Sequence, residues 1–400
     1  MKEVRLLAFA AALGAVLASS STAQTKVRML YEFNGQDVPL GVTAGPNGVL
    51  YGITGGGYDT SGAFGYVFEL QPPVPGSGGA WTETVLHTFT GQNGDGSNFV
   101  SFPIPVVTTD RTIYGTTNSG GANGYGTVFE LQPPLEDGGA WTETILYSFP
   151  ASLNPFSESN VILVNGVLYG VWGGGAYGAG EVFKLEPPPG NPPGVPWVET
   201  TLYEFTGGSD GADPFGIAMG HDGKIYGLAD GGGSVGEGAV FELTPSTVTG
   251  APWNEKVLYS FPGDADGGGG IGPPIIASDG SLYGATATTV FKLTPPESGA
   301  TAWTETLLYS FTGNQSLLRS PIVMRNGAIY GTAADFYGFD VYKLEPPAAG
   351  SGPWTETVLN SFQNSYPWGA IVVNKQGALF GTTLDGPGVL NDGVAYEIKP

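Results

Sequence analysis

Apolar positions in this chain fall in short runs that Gly, Pro, Asn or Asp cut off every few residues. The runs are rich in Val, Ile, Leu, Phe, Tyr, Trp and Thr, as in Trp141-Thr142-Glu143-Thr144-Ile145-Leu146-Tyr147-Ser148-Phe149. Such runs, bounded by turn formers, predict strands. No stretch sustains the 3.6-residue apolar period of an amphipathic helix. The chain is therefore expected to be all-β.

Three signatures recur in fixed order, each seven times, with a period of about 54 residues. The first is Leu30-Tyr31-Glu32-Phe33, which returns with its Leu at 86, 146, 202, 258, 308 and 359. The second is an apolar-aromatic-Gly triplet with its Gly at 52, 115, 170, 227, 284, 331 and 381. The third is Val67-Phe68-Glu69-Leu70, which returns at Val128, Val182, Val240, Val290, Val341 and, as Ala395-Tyr396-Glu397-Ile398, at the end. A further run before a turn, as in Pro274 to Ala277, gives each unit four strands. Four short antiparallel strands repeated seven times predict a seven-bladed β-propeller.

The last unit lacks its fourth strand, and an unpaired one lies at the opposite end, over residues 27–33. The N-terminal strand is expected to complete the last blade and close the ring. A solenoid, the competing architecture, would instead want polar capping repeats at its ends. Gly after the aromatic of the second strand is expected to permit close backbone approach or a positive φ. Pro pairs such as Pro72-Pro73 end third strands, where no ladder donor is needed. Six Trp, from Trp81 to Trp354, open fourth strands and are expected to pack between blades.

Stretches such as Ile113-Tyr114-Gly115-Thr116-Thr117 with Gly126-Thr127-Val128-Phe129-Glu130-Leu131 resemble the GloVer repeat of the choice-of-anchor tandem-repeat family of secreted bacterial proteins. The resemblance covers essentially the whole chain after the leader. It implies secretion and, in many members, a C-terminal surface anchor; the stretch ending at Pro400 shows no such signal. Through Asp279-Gly280-Ser281-Leu282-Tyr283 the unit is more distantly similar to NHL and streptogramin-lyase-like propellers, a likeness of fold that implies no activity.

Composition adjusts this picture in three ways. Gly and Pro (67 and 32 of 400 residues) would suggest low complexity, but here they are periodic and punctuate strands. Residues 1–23 read as a secretory signal peptide: Lys2 and Arg5, an apolar run over Leu6–Leu17, and Ser21-Thr22-Ala23 as the cleavage pattern. Residues 24–400 are then one propeller domain. The absence of Cys excludes disulfides, thiolate metal sites and a Cys nucleophile. A net charge of −22 argues against nucleic-acid and anionic-membrane partners. The chain reads as a monomer with no membrane insertion.

Candidate chemistry maps to the face that carries the long Gly/Asp loops, such as 91–102, 207–216 and 263–272. Trp172, Phe215 and Trp368 are expected to ring the channel mouth there, offering aromatic surface to a sugar or another flat ligand. Asp95, Asp210, Asp213, Asp264 and Asp266 in the loops are candidate Ca²⁺ ligands. His87 stands where other units have Tyr and is expected to fill that structural position. No catalytic residue is assigned: no Gly-x-Ser-x-Gly or His-Glu-x-x-His motif occurs, and no carboxylate pair stands out. No cofactor is required by this reading. The leading expectation is a secreted, non-enzymatic propeller that binds a glycan or protein. The alternative is a lyase or hydrolase using carboxylates and a divalent metal at the channel mouth.

Overall fold

The computed structural model describes residues 26–399 apart from 34–37, 56–63, 100–103, 137, 153–158, 193, 249, 264–266, 312–316, 319–321, 335–337, 349, 351, 364–368 and 385–392. The leader at residues 1–23, Trp368, Asp264 and Asp266 lie outside the described residues. Seven four-strand antiparallel sheets form the blades of a propeller. Blade 3 is typical, with strands Ser159–Val164, Val167–Trp172, Glu181–Glu186 and Val198–Glu204 in simple meander order. Blade 6 splits its innermost strand into Leu317–Leu318 and Val323–Arg325. Blade 2 carries an extra ribbon, Gly96–Ser97 on Ser119–Gly120. Among the described residues no helix is long and apolar enough to cross a membrane.

The ring closes as expected. Lys26–Glu32 pairs antiparallel with Val394–Lys399 and becomes the outer strand of blade 7, with Lys26 opposite Lys399 and Glu32 opposite Val394. The Phe33 amide then donates to the Gly393 carbonyl at 2.9 Å.

Third strands are buried on both faces because each blade lies between two others. Val67, Phe68 and Leu70 are wholly inaccessible, as are their counterparts Val128, Phe129 and Leu131. This is why charged residues make up only 12% of the chain. The repeat Gly faces the third-strand aromatic directly across the ladder, as Gly52 faces Phe68. A Cβ on that Gly would lie 2.1–2.5 Å from the opposing Phe ring in blades 1 to 5 and 2.6 Å from the opposing Tyr ring in blades 6 and 7, which no pair of carbons tolerates. Of the two reasons expected for this Gly, close approach is the operative one; none of the seven has a positive φ. The aromatic ring covers the bare backbone, filling the space a side chain would take.

Fourth strands contain a β-bulge at the same place in every blade. In blade 1, Val67 pairs with His87 and Phe68 with Val85, so Leu86 is the extra residue. The same step skips Leu146, Leu202, Leu258, Leu308, Leu359 and, in the closing strand, Leu30. A strict period of two would send Leu86 and Phe89, three apart, to opposite faces. The bulge absorbs one residue and lets both point inward, where both are buried.

That buried Phe is the joint of the ring. Phe89 of blade 1 packs on Phe129 of blade 2, Phe149 on Phe183, Phe205 on Phe241, Phe261 on Phe291, Phe311 on Tyr342 and Phe362 on Tyr396. Phe33 on Phe68 completes the circle across the closure. Centroid separations are 4.8–5.5 Å throughout, and five of the seven pairs meet edge to face, the arrangement ring quadrupoles favour. The repeat Trp reinforces these joints: the Trp197 and Trp253 amides each donate at 2.8 Å to the bulge Leu of the preceding blade, Leu146 and Leu202.

Candidate functional site

First strands from five blades surround a cavity of about 350 Å³ on the central channel. Its wall is apolar: Ile104, Val106, Val161, Ile162, Phe215 and Ile217 supply side chains, and Gly216 and Gly272 bring backbone close. Thr43 and Asn160 are the polar side chains among the described lining residues, none of which is charged. Phe215 lines this cavity and is half-buried.

Trp172 is not at the channel mouth. It is 2% exposed and stacks on Phe149 at 4.9 Å and 15°, inside the joint of blades 2 and 3. Most other blades have Thr or Ala at this place, such as Thr54 and Ala229. The larger ring fits because Gly174 follows it; a Cβ there would lie 2.3 Å from the indole. A ligand cannot reach Trp172 without opening the core; of the three expected aromatics, Phe215 lines the cavity, Trp172 does not, and Trp368 lies outside the described residues.

Of the candidate Ca²⁺ ligands, Asp95, Asp210 and Asp213 are among the described residues, and Asp264 and Asp266 are not. Asp95 and Asp210 are equivalent residues of separate joints, one between blades 1 and 2 and the other between blades 3 and 4. Each buckles its own loop: Asp95 Oδ2 accepts from the Thr90 amide and hydroxyl at 2.6 and 2.7 Å. Asp210 does the same with Thr206 at 2.8 and 2.6 Å and accepts from the Gly208 amide. These bonds hold the Asp210 carboxyl below its ordinary value against the opposing effect of burial. Asp213 is exposed, at a positive φ within the first strand of blade 4, and its charge adds to burial in raising the nearby Asp230.

Asp95 instead meets two groups that the sequence reading did not place with it. His87 Nε2 lies 3.7 Å from Asp95 Oδ1 and 3.5 Å from Glu143 Oε1. His87 ends the fourth strand of blade 1, and Glu143 begins the fourth strand of blade 2. Burial holds the imidazole below its ordinary pKa despite the pull of Asp95. Burial, with Asp95 beside it, pushes the Glu143 carboxyl up to about 8. The legible signal was positional: six units share the Glu of Trp-Thr-Glu, and five of the seven units carry Tyr where this one has His.

A second groove, of about 660 Å³, lies on the outer edge between blades 1 and 2. Arg111 spans it, donating at 3.1 Å to both Tyr51 and Glu69 while its guanidinium sits 5.4 Å from the Trp141 ring centre. Two of its three nitrogens, Nε and Nη2, are thereby engaged with blade 1. The arrangement reads as a blade-to-blade clasp rather than a docking place.

The recurring geometry agrees with sequence comparison. Residues 13–193 match the Gloeobacter/Verrucomicrobia repeat. No curated protein sequence matches the chain. The repeat folds here as solved propellers do. A streptogramin B lyase superposes with a TM-score of 0.54 at 16% identity, over 94% of this chain and 98% of that one. The catalytically inactive virginiamycin B lyase from Staphylococcus aureus, solved with quinupristin, gives 0.56 at 14%, over 94% and 100%. The polysaccharide lyase Uly1 gives 0.51 at 10%, over 93% and 99%. At these identities the likeness is one of fold.

Proposed function

We propose that this repeat propeller is a secreted, non-catalytic binding protein whose central channel receives an apolar group of an extracellular partner. The observation that carries the reading is the character of the channel cavity. Its described wall is aliphatic and aromatic, with Phe215 at its edge and two neutral polar side chains to orient a guest. A glycan would need a denser set of hydrogen-bonding groups, so an apolar protein side chain or a small apolar ligand fits better. The lyase or hydrolase reading calls for carboxylates at the channel mouth, to act on the substrate or to hold a divalent metal, and the described lining residues include none. The lyase superpositions do not carry an activity across, since fold and function part company at such distances.

The test is a binding screen of the purified protein against apolar small molecules, peptides and a glycan array, read by calorimetry. The expected result is a hit from the apolar or peptide set that Phe215→Ala weakens at least about tenfold, as loss of a buried aromatic contact would. Hits confined to glycans, or a hit indifferent to Phe215→Ala, would overturn the channel assignment. Turnover of a hit compound would favour the enzymatic reading.

A further inference from the structure

A polar device recurs at joints beside the aromatic pair. The Tyr after the bulge Leu of one blade meets the Glu that begins the fourth strand of the next. Tyr31 donates to Glu83 at 2.9 Å, and Tyr309 to Glu356 at 2.7 Å. At the joint of blades 3 and 4 the loop Asp joins in: Tyr203 donates to Asp210 at 3.1 Å. Where Asn360 replaces the Tyr, the facing position in the closing strand is Val27, so the phenol and the carboxylate are absent together.

The joint of blades 1 and 2 departs from this pattern. Glu143 and the loop Asp95 are kept, but the phenol is replaced by the His87 imidazole. The ring is too short to close the gap. His87 Nε2, Asp95 Oδ1 and Glu143 Oε1 are all shut off from water, and none makes a hydrogen bond. The three atoms lie within 4.8 Å of one another. Among the described residues, neither carboxylate forms an ion pair with Lys or Arg. Three buried polar atoms that face one another with no hydrogen bond would be costly if nothing joined them.

The spacing states what would join them. A zinc ion holds nitrogen and oxygen donors at about 2.0–2.2 Å, so the edge of its tetrahedron is about 3.3–3.6 Å. The observed edges from the imidazole are 3.5 and 3.7 Å, longer than a hydrogen bond and close to that figure. Asp95 is also preset, since the Thr90 amide and hydroxyl hold its other oxygen. One nitrogen with two carboxylates suits Zn²⁺; Ca²⁺ prefers six or more oxygens.

We infer that His87, Asp95 and Glu143 form a zinc-binding site that staples blade 1 to blade 2. It lies on fourth strands and a loop, away from the channel cavity, and is independent of the proposed binding function. A fourth position would be left for water. A single substitution at one repeat position thus turns a structural hydrogen bond into a metal site.

The experiment uses the untagged full chain, stripped with EDTA and titrated with ZnCl₂ by calorimetry. One equivalent is expected to bind and to raise the melting temperature. Co²⁺ is expected to give the visible absorption of a tetrahedral N/O site. His87→Tyr restores the residue used at five other joints and so should fold; it is expected to abolish the stoichiometric binding. Glu143→Gln, nearly isosteric, is expected to weaken it at least about tenfold, and keeps the test open if His87→Tyr misfolds. Absence of one-equivalent binding in the wild type, or unchanged binding in a folded variant, would overturn the assignment.

Discussion

Gly284 in blade 5 puts the glycine argument to a quantitative test. A methyl group there would sit 2.5 Å from Phe291 Cζ and 3.0 Å from Cε1. Carbon contacts are comfortable only at about 3.5–4.0 Å, so the ring would have to retreat by about 1 Å. It has nowhere to go: Phe291 is 2% exposed and is backed by Phe261 at 5.3 Å. Gly284→Ala is therefore expected to cost about 1–3 kcal/mol, the usual range for overpacking a filled core. Phe291→Leu alone removes ring contacts and should cost about 1–2 kcal/mol, by the transfer value of the lost carbons. In the double variant the smaller side chain makes room for the methyl. Gly284→Ala/Phe291→Leu should then be more stable than the sum of the single effects by about 1 kcal/mol, in the range found for touching residues. Urea unfolding followed by fluorescence, with all four proteins compared at constant slope, reads the coupling. Simple additivity, or no effect of Gly284→Ala, would refute the claim that this Gly exists to admit the ring.

Two further outcomes follow from the joints. Deleting residues 27–33 should destabilise the fold severely, because it removes a whole ladder and the Phe33–Phe68 pair; Phe33→Ala alone should cost about 3–5 kcal/mol in urea unfolding. Equal stability of the truncated chain would contradict ring closure. Burial pushes the Glu181 carboxyl up to about 8, with Glu199 and Glu204 adding to it, and the Glu255 carboxyl up to about 7 with Asp210. The folded protein then holds protons on these groups that the unfolded chain gives up near 4.5, so stability is present at pH 5 and declines as pH rises through about 8. The melting temperature in metal-free buffer should fall between pH 5 and pH 8.5, and Glu181→Gln should flatten the slope; a flat wild-type profile would count against it.

The architecture was legible because each blade repeats the same local solution. Leu, Tyr, Phe and Gly at fixed spacing mark strand, bulge, joint and close approach seven times over, and a motif seen seven times needs no single instance to be strong. What the pattern concealed was long range. Trp172 looked free because it breaks the repeat, yet it broke it to fill a joint, and the glycine run at 173–175 was the sign that a large ring folds back there. His87 looked like a structural stand-in for Tyr. Its meeting with Asp95 and Glu143 depends on a loop eight residues on and a strand in the next blade, which alternation along one strand cannot reveal.

The closing ladder also has a mechanical meaning. Lys26 lies opposite Lys399, so the chain leading into the ring and the chain leading out of it sit side by side at one end of a single strand pair. A pull applied through both would load the ladder one rung at a time, peeling it like a zip rather than shearing all rungs together. Blade 7 would part first under such tension, while the other six blades, whose strands are continuous with one another, would carry none of the load until it had opened.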